Sequence, residues 1–178
     1  MANQLADNPL AYHWYAVYTQ SRNEKAVYAD LTEDGYEAYL PLRKVRRQWS
    51  DRVKMIDEPL FRSYVFVRVS QKEYYHVLQH RAILRFVSFG GKPSIIPDRQ
   101  IEAVRRLMEE GLDFQISNEH YQPGQVVEIT AGPMMGCQGE VVRHAGKNSL
   151  LLRIGNTGYS LLLQIPATYL QNPSRNSL

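Results

Sequence analysis

Two stretches of this 178-residue chain carry side chains suited to binding chemistry. The first, RKVRRQWSDRVK (residues 43–54), sets six Lys and Arg against one Asp. Cations at that density on an extended ribbon can track a phosphate backbone, and Trp49 among them can stack on a base. The same charges would serve equally as a solvated face. The second stretch, PLFRSYVFVRV (59–69), alternates. In a strand, Val65, Val67 and Val69 point one way and Tyr64, Phe66 and Arg68 the other. The valines read as core. The ring-bearing face is continued by Tyr18 and by either Phe86 or Phe89 on other strands. It can hold a partner's helix by apolar contact, because aromatic rings supply large rigid area at low entropic cost. Rings packed beneath the domain's own helices would leave the same spacing.

Other kinds of chemistry find no residues arranged for them. The five histidines, at 13, 76, 80, 120 and 144, fall in different elements. His76 and His80 are four apart, yet no third ligand stands at a supporting spacing. Nucleophile elbow, phosphate loop and dinucleotide fingerprint are all missing. The glycine-rich run GPMMGCQG (132–139) has no Lys-Ser/Thr ending and precedes a strand, so it reads as a turn. Cys137 is the single cysteine, which excludes an internal disulfide and a cysteine-based metal cage. The expectation is a protein that is not an enzyme, with no catalytic residue, metal or cofactor.

The totals bound the rest. Lys and Arg number 21 against 18 Asp and Glu, a net charge of +3. That excess is too small to argue for nucleic acid by itself, so the placement of charge matters more. No apolar run approaches the roughly 20 residues that span a bilayer. The opening MANQLADNPLAYHW lacks the basic-then-apolar pattern of a secretory signal. A cytoplasmic protein with no membrane partner is expected.

The elements that must position these residues follow from period and punctuation. Residues 1–11 read as a tail. HWYAVYT (13–19) alternates as a strand, and Ser21 with Glu24 forms a capping box before a helix striped by Val27, Tyr28 and Leu31 and stopped at Gly35. YEAYLP (36–41) is a short strand and 42–58 a basic hairpin turning near Ser50-Asp51. Ser70 and Glu73 repeat the capping box ahead of a second helix bearing Tyr74, Val77 and Leu78. ILRFVSF (83–89) is a strand and GGKP a turn. Asp98 starts a third helix, with Ile101, Val104 and Met108 at helical spacing before Gly111. Together these make an α+β sandwich, a mainly antiparallel sheet with three helices, over 12–111. A polar linker is expected at 112–121. From 122 to 172 short strands between Gly-rich turns predict a small all-β barrel, with a tail at 173–178.

WYAVYT, PLFRSYVFV, RFVSFGGKPSIIPD and PGQVVEITAGPMMGCQGEVV stand in one order and spacing that resembles the NusG family of transcription elongation factors, in its specialised RfaH-like and UpxY-like branch. The resemblance covers roughly 13–170. It implies an N-terminal NGN domain and a C-terminal KOW domain with an SH3-like barrel. It further implies a monomeric transcription elongation and antitermination factor that docks an aromatic hollow on the clamp helices of RNA polymerase's largest subunit. Tyr18, Tyr64, Phe66 and Phe89 fall where that hollow is lined. A contact to the gate loop of the second large subunit falls on Tyr75 and His76. Contacts to the non-template DNA strand fall on Gln20, Arg22 and Lys25, with Arg46, Arg47 and Arg52 on the hairpin. Arg62 and Ser63 replace the family's Pro-Gly. The barrel's partner would be a ribosomal protein or Rho, and surface-polysaccharide operons would be the targets. The rival reading is a ribosome-associated or RNA-binding KOW protein.

Overall fold

Alternation of apolar side chains builds the first sheet of this computed structural model, in which residues 10–117, 119–120 and 123–171 are described. The segments His13–Thr19 (β1) and Tyr64–Val69 (β5) pair antiparallel, with Tyr15 opposite Val67 and Val17 opposite Val65. Glu37–Tyr39 (β2) and Ile83–Phe86 (β6) flank them, giving the order β2-β5-β1-β6. One face buries Tyr15, Val17, Val65, Val67, Val69 and Phe86 against Val27 and Leu31 of helix Glu24–Glu33 (α1) and Val77 of the short helix Tyr74–Leu78 (α2). The valines and rings among them suit a pleated surface covered by helices. Tyr74 stacks on Phe86 at 4.2 Å between centroids.

Leu42–Gln48 (β3) and Val53–Pro59 (β4) form a separate two-stranded ribbon, in register from Leu42–Pro59 to Gln48–Val53. Its four-residue loop is closed by the Trp49 N–H donating to the Arg52 carbonyl at 2.8 Å. The expected strand at 83–89 is broken. β6 ends at Phe86, and Ser88–Phe89 (β7) pairs instead with Lys92–Pro93 (β8) around Gly90 and Gly91, both at positive φ.

The chain divides into two compact units between Ile96 and Pro97. This differs from the expected boundary near 111: helix Asp98–Glu110 (α3) belongs to the second unit. Two hydrogen bonds tie α3 to the rest of that unit. The Gly155 N–H donates to Gln100 Oε1 at 2.8 Å, and Arg106 Nη1 donates to the Met135 carbonyl at 2.8 Å. Phe114–Ser117 (β9), inside the expected linker, pairs with Ser160–Leu163 (β13). The polar composition of 112–121 hides an edge strand whose Phe114 and Ile116 alternate with Gln115.

Gln125–Ile129 (β10), Gln138–His144 (β11), Lys147–Arg153 (β12) and Leu170–Gln171 (β14) complete a six-stranded antiparallel sheet, β14-β10-β11-β12-β13-β9. Ala145 and Gly146, both at positive φ, join β11 to β12 as a two-residue hairpin, with His144 opposite Lys147. Gly139 sits where a Cβ would lie 2.9 Å from both the Leu151 carbonyl oxygen and the Leu150 side chain, so the close strand approach requires glycine. Of the expected tails, residues 1–9 and 173–178 lie outside the described residues.

Candidate functional site

The second face of the first sheet carries the rings. Strand pairing sets Tyr18 opposite Tyr64, Ala16 opposite Phe66, and Tyr39 opposite Phe66. Tyr18 and Tyr64 meet edge-on at 5.3 Å, and Arg85, opposite Tyr18 on β6, lies 5.1 Å from its ring centroid in a cation–π contact. Both tyrosines are half-buried. Phe66 is not an open ring: it is 0% exposed, stacked on Tyr39 at 6.3 Å and met edge-on by Phe61 at 5.8 Å. The reason is topological. β5 is an inner strand, and Phe66 at its middle lies between Ala16 of β1 and Tyr39 of β2, with Phe61 of the preceding turn closing over it. Phe89 is not with the others, because β7 lies outside this sheet; it is 74% exposed. Phe86, the other possibility, turns to the helix-covered face. Spacing had not pointed to Tyr39, Arg85 or Phe61. Tyr39 alternates with Glu37 and could have been read, whereas Arg85 needed the register.

The turn before β5 is built unusually. The Tyr64 N–H donates to the Phe61 carbonyl at 3.3 Å, and Ser63 takes φ 63°, a left-handed conformation normally given to glycine. Its N–H donates to Glu24 Oε1 at 2.6 Å. That bond replaces the expected capping box: α1 starts at Glu24, its N-cap is Asn23, and no side chain caps it. Arg22, at φ 65°, turns the chain so that Ser21 lies outside the helix. The second box is half made. Glu73 Oε2 accepts from the Ser70 N–H at 2.9 Å and from the Ser70 hydroxyl at 2.8 Å. Burial pushes the Glu73 carboxyl up, but these bonds and one from the Tyr12 hydroxyl outweigh it and hold the group below its usual value.

Between the start of α1 and one face of the hairpin runs a groove of about 990 Å³, lined by Arg22, Lys25, Arg47, Trp49, Glu58 and Arg62 among others. Trp49 is 57% exposed. Arg47 is spent within it: its Nε donates to Glu58 Oε1 at 2.9 Å, and Nη2 reaches the same oxygen. That hydrogen bond holds the Glu58 carboxyl below its usual range. Lys44 pairs with Asp57 at 3.7 Å. Arg22 and Lys25 form no ion pair among the described residues, and Arg62 makes no hydrogen bond there but adds to the positive field that lowers the Glu58 carboxyl. The structure therefore gathers Arg22, Lys25 and Arg47 of the sequence-predicted set, and adds Arg62. It separates three others from the groove. Gln20 is exposed beside β6, its N–H bonded to the Ala82 carbonyl; Arg46 stands opposite Met55 on the other hairpin face; Arg52 lies in the loop.

Tyr75 is 72% exposed and lines a cleft of about 490 Å³ with His13, Tyr74 and Lys92, whereas His76 faces a shallow hollow with Asp34 and His80. The two neighbours on α2 thus open on different surfaces. His80 Nε2 lies 3.3 Å from Asp34. Among the described residues no group of three or more His, Cys, Asp or Glu could hold a metal ion, and no helix is long and apolar enough to cross a membrane.

Residues 12–105 match the family described as transcription termination factor NusG, more than half of the chain. The transcription termination/antitermination protein NusG of Pseudomonas aeruginosa is 25% identical over 146 residues, covering 74% of this chain and 81% of that protein. A solved structure of Thermotoga maritima NusG covers 93% of this chain and 99% of its own, with a TM-score of 0.50 and 20% identity, a likeness of fold. The first unit's ringed sheet and the second unit's all-β sheet agree with the paired NGN and KOW architecture. The chain belongs to the NusG family of transcription termination and antitermination factors.

Proposed function

We propose that this chain is an RfaH-like or UpxY-like elongation factor that binds RNA polymerase through its first unit and suppresses pausing or termination on specific operons, such as those for surface polysaccharides. The observation that carries the reading is the Tyr18–Tyr64 pair beneath Arg85, on the sheet face opposite the valine core. These rings would meet the clamp helices, while Phe66, buried between Tyr39 and Phe61, would not touch the partner. Phe89, exposed on its own ribbon, would reach the same partner only at its edge.

Tyr75, and less directly His76, would face the gate loop across the cleft. A monomer bridging clamp and gate in the cytoplasm favours the closed polymerase by its differential affinity for that state, about 1–3 kcal/mol in typical couplings. The groove would carry the displaced non-template strand, with a base on Trp49 and phosphates at Arg22, Lys25 and Arg62. Gln20, Arg46 and Arg52 would serve as outlying DNA contacts. The second unit would recruit a ribosomal protein or Rho.

An RNA-binding KOW protein is less well supported. Of the strand cations there, Arg153 is bound to Glu140 at 2.7 Å, which leaves Arg143 and Lys147 to hold RNA. Capture of RNA polymerase from a bacterial lysate by the wild-type chain, lost with Tyr64→Ala, tests the reading. Equal capture by both would refute it.

A further inference from the structure

We infer that Glu24 is a positioning residue: its buried carboxylate holds the Phe61–Tyr64 turn and so sets the Arg62 cation in the groove and the Tyr64 ring on the sheet. The inference rests on the proposed reading of the groove as a nucleic-acid track.

Ser63 carries a side chain at φ 63°, a conformation that is unfavourable for most residues other than glycine and persists where its surroundings impose it. The surroundings here are few and identifiable. Glu24, 6% exposed, accepts the Ser63 N–H at 2.6 Å across 39 residues of sequence. The Ser63 carbonyl accepts the Thr19 N–H at 2.8 Å. A bond to a buried carboxylate is charge-assisted, hence stronger than its neutral counterparts. The turn then places two working side chains at once. Its second residue, Arg62, lines the groove, and its fourth, Tyr64, stands opposite Tyr18. Without the carboxylate, Ser63 relaxes toward negative φ, the peptide rotates, and both side chains leave their places. Glycine at 63 would keep the turn without that hold.

The test uses the full chain as wild type, Glu24→Ala, Glu24→Gln, Arg62→Ala and Glu24→Ala/Ser63→Gly. It measures binding to a labelled dodecathymidylate against salt, and amide exchange at Tyr64, whose N–H closes the turn. Glu24→Ala should behave like Arg62→Ala, its log–log salt slope falling by about 0.7, one single-strand phosphate. Its Tyr64 amide should exchange at least about tenfold faster, a 1.4 kcal/mol change in local opening. Glu24→Gln, which keeps an acceptor oxygen but loses the charge, should fall between wild type and Glu24→Ala. Adding Ser63→Gly to Glu24→Ala should restore both slope and protection. A residue that merely packs the helix would not be rescued from 39 positions away. A Glu24→Ala chain that folds only with Ser63→Gly added supports the same hold. Unchanged slope and protection in Glu24→Ala, or failure of Ser63→Gly to restore them, overturns it. If the wild type does not bind the oligonucleotide, the groove reading and the role of Arg62 fall; the exchange data then decide the hold on Tyr64 alone.

Discussion

Phe66 and Tyr64 are two residues apart on one strand face, yet truncating them should have opposite consequences. Phe66 is fully buried between Tyr39 and Phe61. Phe66→Ala removes a whole ring from a packed site and leaves a cavity, a loss of about 3–5 kcal/mol. Against a domain stability of about 5–15 kcal/mol, that is a large share of the total. Tyr64 is half-buried, so truncation there costs the fold less but removes the accessible ring, worth about 2 kcal/mol or more to an interface if it is an anchor. Urea denaturation and polymerase binding, measured on both variants, separate the two effects. The expected result is a lowered denaturation midpoint with Phe66→Ala, and a near-normal midpoint with roughly thirtyfold weaker polymerase binding for Tyr64→Ala. A Phe66→Ala chain within 1 kcal/mol of wild type would refute the burial argument. A Tyr64→Ala chain with full affinity would refute the docking argument.

Three further outcomes are expected. Arg22→Ala with Lys25→Ala should lower the salt slope of oligonucleotide binding by about 1.4, whereas Arg47→Ala should leave it nearly unchanged because that guanidinium is already engaged by Glu58; equal effects in a salt titration would contradict this division. Gly139→Ala should cost about 1–3 kcal/mol by pressing a Cβ onto the Leu151 carbonyl, read as a shift in thermal midpoint. Glu140 is held below its ordinary value of 4.5 by the Arg153 hydrogen bond, against the opposing effect of burial and with the Gly124 N–H adding to it. A depressed folded-state value stabilises the protein above the unfolded value and ceases to do so as pH falls through the folded one. Wild type should therefore lose more stability than Glu140→Gln on acidification below about 4.5; parallel denaturation curves would show the pair to be energetically silent.

What the sequence alone determined is what local period and turn chemistry control. Alternation in 13–19 and 64–69 specified two strands and their valine face, because a strand's side chains repeat every two residues whatever lies beyond. The basic hairpin and the glycine-punctuated strands after Gly124 were legible for the same reason. Even the leucine-rich SLLLRI, with better helix formers than strand formers, stood out as a strand through its flanking turns. Only tertiary structure decided which of those residues are free to act. Strand order put Phe66 in the interior and Arg85 over Tyr18. Hairpin pairing bound Arg47 to Glu58 by hydrogen bonds and left Arg62 acting on that carboxylate only through its charge. A bond over 39 residues drew Glu24 away from its helix cap to Ser63, and α3 joined the second unit through Gln100 and Arg106. Exposure and partner choice depend on contacts between segments distant in sequence, and local spacing carries no record of those.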